Sequence, residues 1–270
     1  MTGKTILEAE HISVSFRMYD RGLSQYDLHV ISDLSVTVHE GEIMVVVGAS
    51  GSGKSVLAHA VLGILPSNAI VGGTIRYDGQ LLDKALRKKL VGSEIIMIPQ
   101  SVTYLDPLMK VGKQVRGLTG TEEQQRAAFE RYGLKEQVAA MYPHELSGGM
   151  TRRVLISTAT ITDAKLILAD EPTPGLSQDI AEETMRNFRE LADEGRGILM
   201  ITHDIDMALQ DADKIAVFYD GRTVDVVDRE AFLAGGDALK HPYTKALWAA
   251  LPQNGFRNVD PEDFMGEADA

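Results

Sequence analysis

The sequence has no cysteine. That absence excludes disulfides, cysteine-ligated zinc, iron–sulfur clusters and thiol nucleophiles, and it suits a reducing compartment. Positive charge is scarce: 27 Lys and Arg stand against 39 Asp and Glu, a formal net charge of −12. So acidic a chain is a poor general binder of nucleic acid, which needs a basic face. It can still hold phosphate where backbone N–H groups converge in one loop. No run approaches the ~18–20 consecutive apolar residues that span a bilayer; the longest, such as Ile43–Val47 and Leu166–Ala169, are strand-sized. Met1-Thr2-Gly3-Lys4-Thr5 lacks the apolar core of a signal peptide. A cytoplasmic chain is therefore expected, with any membrane association made through a partner. Internal repeats and low-complexity segments are missing as well.

What is present is ordinary for a soluble globular protein: 270 residues, 44% hydrophobic and 24% charged, enough for one large domain or two small ones. Short buried-type apolar runs alternate with amphipathic helical patterns, which predicts an α/β fold with a mainly parallel sheet. Ile43–Val47, Ile95–Ile98, Leu166–Ala169, Gly197–Thr202 and Lys214–Tyr219 read as strands. Val56–Leu65, stopped by Pro66, reads as a helix, as do Asp179–Glu194 and the shorter Asp204–Asp213. Ala181, Met185, Phe188 and Ala192 form one stripe of the second of these. From Ser101 to Ile161 the pattern is mainly helical, so a helical subdomain of about residues 101–161 is expected as an insertion into the sheet. Residues Ile6 to Val38 alternate apolar and polar, which predicts an N-terminal antiparallel β-subdomain with a polar loop, Asp20–Asp27. One domain over residues 1–250 and an acidic tail over 251–270 complete the expected organisation.

The strongest local signal is Gly48-Ala49-Ser50-Gly51-Ser52-Gly53-Lys54-Ser55. It matches G-x-x-x-x-G-K-[ST] between a predicted strand and a predicted helix, the context in which that spacing means a phosphate loop. The glycines let backbone N–H groups turn inward on phosphate oxygens, and the helix N-terminus adds partial positive charge. Lys54 would meet the β- and γ-phosphates and the Ser55 hydroxyl would ligate Mg²⁺. Asp170-Glu171 closes a second apolar strand. Two acids before Pro172 can simply start a helix, but a buried strand also delivers its last residue to the carboxyl edge of the sheet, where ligands of α/β folds bind. There Asp170 would hold Mg²⁺ and Glu171 would polarise an attacking water. Ser147-Gly148-Gly149 opens a predicted helix, Met150–Thr160. It is either an ordinary N-cap or a second anion site. His203 and Gln100 each follow a strand and mean little singly.

Their order is informative: phosphate loop, Gln100, LSGGM, ILADEP, ITHD. In that order the sequence resembles the nucleotide-binding domain of ABC (ATP-binding cassette) proteins over roughly residues 6–235. The resemblance implies a P-loop NTPase fold with ATP and Mg²⁺ as ligands. It also implies a head-to-tail dimer in which ATP lies between the phosphate loop of one subunit and the Ser-Gly-Gly helix of the other. Ser147, Gly148 and Gly149 would then serve the partner's ATP. Gln100 would be the glutamine that senses Mg²⁺ and the membrane subunit, Glu171 the general base, and His203 the switch histidine on the γ-phosphate. Phe16 is the aromatic best placed to stack on adenine, with Tyr19 and Tyr26 as rivals.

A narrower resemblance rests on Tyr142–Met150, on His241-Pro242-Tyr243-Thr244, and on Leu105-Asp106-Pro107 followed by Val111-Gly112. These look like the ATPases of oligopeptide, dipeptide and nickel importers. The implied assembly has a second ABC ATPase subunit, two transmembrane permease subunits and an extracytoplasmic substrate-binding protein, with this chain at the cytoplasmic face of the membrane and no nucleic-acid partner. After Glu171 the chain reads Pro172-Thr173-Pro174-Gly175-Leu176-Ser177, so Ser177 stands where the family carries an aspartate at the dimer interface. Two other readings stay open. A soluble ABC ATPase acting on DNA or ribosomes would want a basic face. A regulatory, non-hydrolysing nucleotide module would not need Lys54, Asp170, Glu171 and His203 intact.

Overall fold

Five-residue apolar runs flanked by turn residues can be buried on both faces, and a parallel sheet gives them that burial. The computed structural model describes residues 3–20, 24–49, 51–99, 104–117, 120–162 and 164–254. In it β3 (Ile43–Gly48), β7 (Leu166–Asp170) and β8 (Gly197–Ile201) are almost wholly buried. They lie in a parallel block with β6 (Ile95–Ile98) and β9 (Lys214–Tyr219), in the order β9-β3-β8-β7-β6. The pleat divides β3 between two cores. Ile43, Val45 and Val47 join one cluster, while Met44 and Val46 join the other.

The first cluster is filled by α5 (Gly148–Ile161), through Val154, Leu155, Ile156 and Ala159, and by α6 (Gln178–Asp193), through Met185, Phe188, Leu191 and Ala192. The second is filled by α1 (Lys54–Leu62) and by an antiparallel layer. That layer consists of β1 (Thr5–Tyr19), β2 (Gln25–His39), β4 (Ala69–Tyr77) and β5 (Gln80–Leu81). It joins the parallel block through β10 (Arg222–Asp228), which pairs with β9 and touches β2 at Arg222 and Asp33. Among the described residues this makes one ten-stranded sheet. No helix among them is long and apolar enough to cross a membrane.

The segment between β6 and β7 holds α3 (Val111–Arg116), α4 (Glu122–Arg131) and α5. Thr121 and Gln124 cap α4 reciprocally, as a Thr-x-x-Gln start dictates. α2 (Lys84–Leu90), α7 (Ile205–Ala208), α8 (Arg229–Ala234) and α9 (Pro242–Ala249) complete the α-helices among the described residues.

Some boundaries differ from the sequence reading. α1 begins at Lys54 and ends at Leu62, because Gly63 at φ 71° stops it before Pro66. The polar hairpin loop is shorter than Asp20–Asp27, because β2 starts at Gln25 and Asp20 N–H already bonds the Ser24 carbonyl. α7 is four residues long where Asp204–Asp213 was expected, and α5 takes both glycines into its first turn. Of the expected acidic tail, residues 255–270 lie outside the described residues.

Candidate functional site

Parallel strands deliver their last residues to one edge, and here the motif residues sit on that edge. Gly48 pairs with Phe218, Val46 with Ile201, and Ile201 with Asp170. Gly48 cannot be replaced at φ 149°, since an added Cβ would lie 2.0 Å from the Phe218 carbonyl oxygen. Gly53 caps α1 at φ 91°, and a Cβ there would come within 2.6 Å of Ile31. The loop therefore passes closely over β9 and β2 and leaves its interior free.

Lys54 folds back into that interior. Its buried ammonium donates to the Gly48 and Ala49 carbonyls, both at 2.8 Å. Burial lowers its pKa, against the pull of Glu171 and Asp170, which raise it. Ser52 is buried too, and its hydroxyl has no hydrogen-bond partner among the described residues. Ser55 Oγ donates to Asp170 Oδ1 at 3.0 Å. Burial raises the Asp170 pKa; the Ser55 bond opposes this and the Glu171 charge adds to it. Glu171 occupies the left-handed region at φ 47°, a strained backbone for a non-glycine residue. Its carboxylate meets His203 Nδ1 at 2.9 Å, while the His203 ring is largely exposed. Val30, Gly51, Gly53, Lys54, Ser55, Glu171 and His203 line one cavity of about 620 Å³.

This donor set fits a polyphosphate with a hard cation. An ammonium held by loop carbonyls lines the cavity, and an orphaned hydroxyl, Ser52, lies buried in the same loop. Ser55 and Asp170 are oxygen donors of the kind Mg²⁺ takes. The acid–imidazole pair lines the same cavity and offers a base for water.

The remaining predicted residues are placed elsewhere. Ser147 caps α5, accepting from Met150 N–H at 3.3 Å. Ser147 and Gly148 are exposed, Gly149 packs near Ile180, and none of the three lines the cavity. Ser177 caps the backbone of α6 without a side-chain hydrogen bond. Phe16 lies in β1, half-buried against the second core, and lines neither this cavity nor its neighbour. Tyr19 and Tyr26 are exposed. Ser50 and Gln100 lie outside the described residues.

Sequence reasoning missed Arg152. It is buried, donates to the Pro99 carbonyl at 3.0 Å and approaches the Glu171 carbonyl at 3.5 Å. It thereby ties α5 to the ends of β6 and β7. Its place two residues after the Ser-Gly-Gly-Met run offered no signal, because the neighbouring Arg153 reads the same in sequence but pairs with Glu183.

Known proteins resemble this chain in sequence and in fold. Residues 31–174 match the ABC transporter family. The oligopeptide transport ATP-binding protein OppD of Lactococcus lactis subsp. cremoris (strain SK11) is 34% identical over 269 residues, covering 93% of this chain and 77% of that protein. The dipeptide transport ATP-binding protein DppD of Escherichia coli (strain K12) is 34% identical over 265 residues, covering 92% and 79%. Among solved structures, the dimeric MJ0796, a bacterial ABC transporter cassette, superposes with a TM-score of 0.69 at 26% identity, covering 83% of this chain and 99% of that one.

Proposed function

The chain belongs to the ABC transporter family, and from that membership we propose that it is the ATP-hydrolysing subunit of an importer, coupling ATP binding and hydrolysis to peptide uptake through membrane partners. One observation carries the reading. Lys54, the Ser55–Asp170 hydrogen bond and the Glu171–His203 pair converge on a single cavity at the carboxyl edge of the sheet. Peptide as cargo is supported by the relatives, which are named for oligopeptide and dipeptide transport. Nickel, the other cargo of the resembling branch, is the competing outcome.

Within the site each residue has a role. The loop amides and Lys54 bind and orient the phosphates, so that positioning and charge neutralisation supply the catalysis. Ser55 and Asp170 would hold Mg²⁺, which neutralises charge developing on the phosphate oxygens. Gln100 would complete that ion's surroundings. Glu171 takes the proton of the attacking water, and His203 holds the Glu171 carboxylate in place and faces the terminal phosphate. Ser147 and Gly148, both exposed, and the adjoining Gly149, all away from this chain's own cavity, serve the nucleotide of a second ATPase subunit paired head to tail. The dimeric state of MJ0796, an ABC transporter cassette, supports a paired arrangement. Residues 1–250 act as one ATP-binding domain, with the helices of about 101–161 as its lever on two permease subunits at the cytoplasmic face. Cargo reaches those subunits from an extracytoplasmic binding protein.

The test is to isolate the chain from its native membranes with everything that accompanies it, and to assay ATP-dependent accumulation of labelled peptides by vesicles carrying that complex. Accumulation that Glu171→Gln abolishes supports the proposal. Co-isolation with ribosomes or DNA-bound proteins instead of permeases refutes the importer reading, and accumulation of nickel in place of peptide corrects the cargo.

A further inference from the structure

Among the described residues the buried charged side chains are Glu42, Lys54, Arg152 and Asp170. Lys54 and Asp170 belong to the site above, and Glu42 pairs with His39 and Lys214. Arg152, 3% exposed, has no part in the hydrolytic scheme. Taking a guanidinium out of water costs several kcal/mol unless its N–H groups are well satisfied. The neighbouring Arg153 escapes that cost by staying near the surface with Glu183 at 2.8 Å.

Arg152 is spent on backbone. One of its terminal nitrogens donates to the Pro99 carbonyl at 3.0 Å, and the other approaches the Glu171 carbonyl at 3.5 Å. Ile98 pairs with Ala169 across β6 and β7, so both carbonyls lie just past neighbouring strand ends. A planar guanidinium can span such a pair with two nitrogens, whereas an ammonium is a compact point charge.

Glu171 has need of this hold. Its φ of 47° is costly for a non-glycine residue and persists only where the surroundings over-determine it. Its N–H donates to the Ile201 carbonyl at 2.8 Å, which ties the residue to β8. Pro172 follows and narrows its conformations further. The carbonyl is its remaining backbone group, and Arg152 reaches it. On this backbone stands the carboxylate that meets His203 Nδ1 at 2.9 Å. A turn of the residue would swing that carboxylate away from His203.

We propose that Arg152 is a positioning residue for Glu171, holding the Pro99 and Glu171 backbones together so that the base is in place only while α5 is seated. This rests on the ATP-hydrolysing reading of the site. α5 also carries the exposed Ser147 at its start, so one helix joins the surface offered to a partner to the base of this chain's own site.

The experiment uses the assembled complex with Mg·ATP, and equilibrium dialysis of the full chain against a slowly hydrolysed analogue. Arg152→Met keeps the stem and removes the fork. Its kcat should fall about 10- to 100-fold, the scale of a misplaced reacting group, while KM and the analogue's Kd stay within about twofold. Arg152→Lys keeps the charge but not the fork, and should also lower kcat at unchanged Kd. In a Glu171→Gln background, Arg152→Met should slow the residual rate no further, because the group it positions is already gone. A merely structural arginine predicts otherwise: the same fractional loss with either residue at position 171, or variants that melt earlier yet turn over at the wild-type rate per folded chain. Either result overturns the proposal, as does full kcat in Arg152→Lys. A wild-type chain that binds no nucleotide in dialysis overturns the nucleotide reading itself. Normal wild-type binding and turnover beside an undiminished Arg152→Met overturns this inference alone.

Discussion

Replacing Lys54 with methionine should leave the folded chain about as stable as before while stripping most of its response to nucleotide. Methionine keeps the length of the stem and removes the charge. Without ligand, the change deletes two hydrogen bonds to the Gly48 and Ala49 carbonyls. Ala49 is exposed and Gly48 half-buried, so water can replace the lysine at both, and the loss stays near ~0.5–1.5 kcal/mol each. Against this, the ammonium no longer has to be desolvated, a term of several kcal/mol that Asp170 and Glu171 offset in part. The two contributions nearly cancel, and the apo protein should change by no more than ~1 kcal/mol. With ligand the balance is one-sided. A charge-assisted hydrogen bond to phosphate contributes ~1.5–3 kcal/mol, a ~10- to 150-fold change in Kd. Urea unfolding with and without Mg·ATP reads both effects. At a concentration of ~100 Kd, wild type should gain ~2.7 kcal/mol, and Lys54→Met should gain only ~0.3–1.4 kcal/mol. A variant that loses more than ~2 kcal/mol without ligand, or keeps the whole ligand-induced gain, would refute the assignment of Lys54 as a phosphate contact held ready by loop carbonyls.

Four further expectations can be checked with the same materials. Glu171→Gln should bind nucleotide normally but lower turnover of the assembled complex ~10²–10⁴-fold; an undiminished rate would show that another group takes the proton. Burial holds the Asp170 pKa above its unfolded value, so its ionisation subtracts stability as pH rises through the folded pKa. Asp170→Asn should therefore melt higher than wild type by ~0.5–2 kcal/mol at neutral pH and by less in acid, while losing Mg²⁺-dependent turnover. Gly48→Ala, whose Cβ would collide with the Phe218 carbonyl, should lose at least ~1–3 kcal/mol in denaturant unfolding along with nucleotide binding. Ser147→Arg should leave this chain's own ATP affinity intact and impair trapping of nucleotide at the composite site completed by its helix. A defect in the same site as that of Glu171→Gln would contradict the head-to-tail assignment.

How far the sequence reveals this molecule depends on the distance over which each feature is determined. β3, β7 and β8 are readable because each is a short apolar run that only double-sided burial explains, and α6 because its buried stripe repeats at helical spacing. β4 escapes. Gly72-Gly73 interrupts its alternation, and Gly73 at φ 88° crowds the His11 carbonyl where the pairing with β1 shifts register. Several of its residues are exposed, as an outlying strand allows. The phosphate loop is legible because eight consecutive residues encode both its turn and its charge. Asp170, Glu171 and His203 become legible once parallel strands are known to end on one edge. Which aromatic would stack on adenine is not fixed by alternation, which identifies strands but not which face of the sheet meets the loop; β2 contributes Val30 to the cavity, and Phe16 lies half-buried in β1 against the second core. Arg152 depends on contacts between distant elements, joining a helix to two strand ends. No local pattern marks it, and it acts on backbone carbonyls rather than on side chains of the site. The sequence motifs thus carry the groups proposed to meet the nucleotide, whereas a group that reaches the Glu171 backbone becomes visible only when the chain is folded.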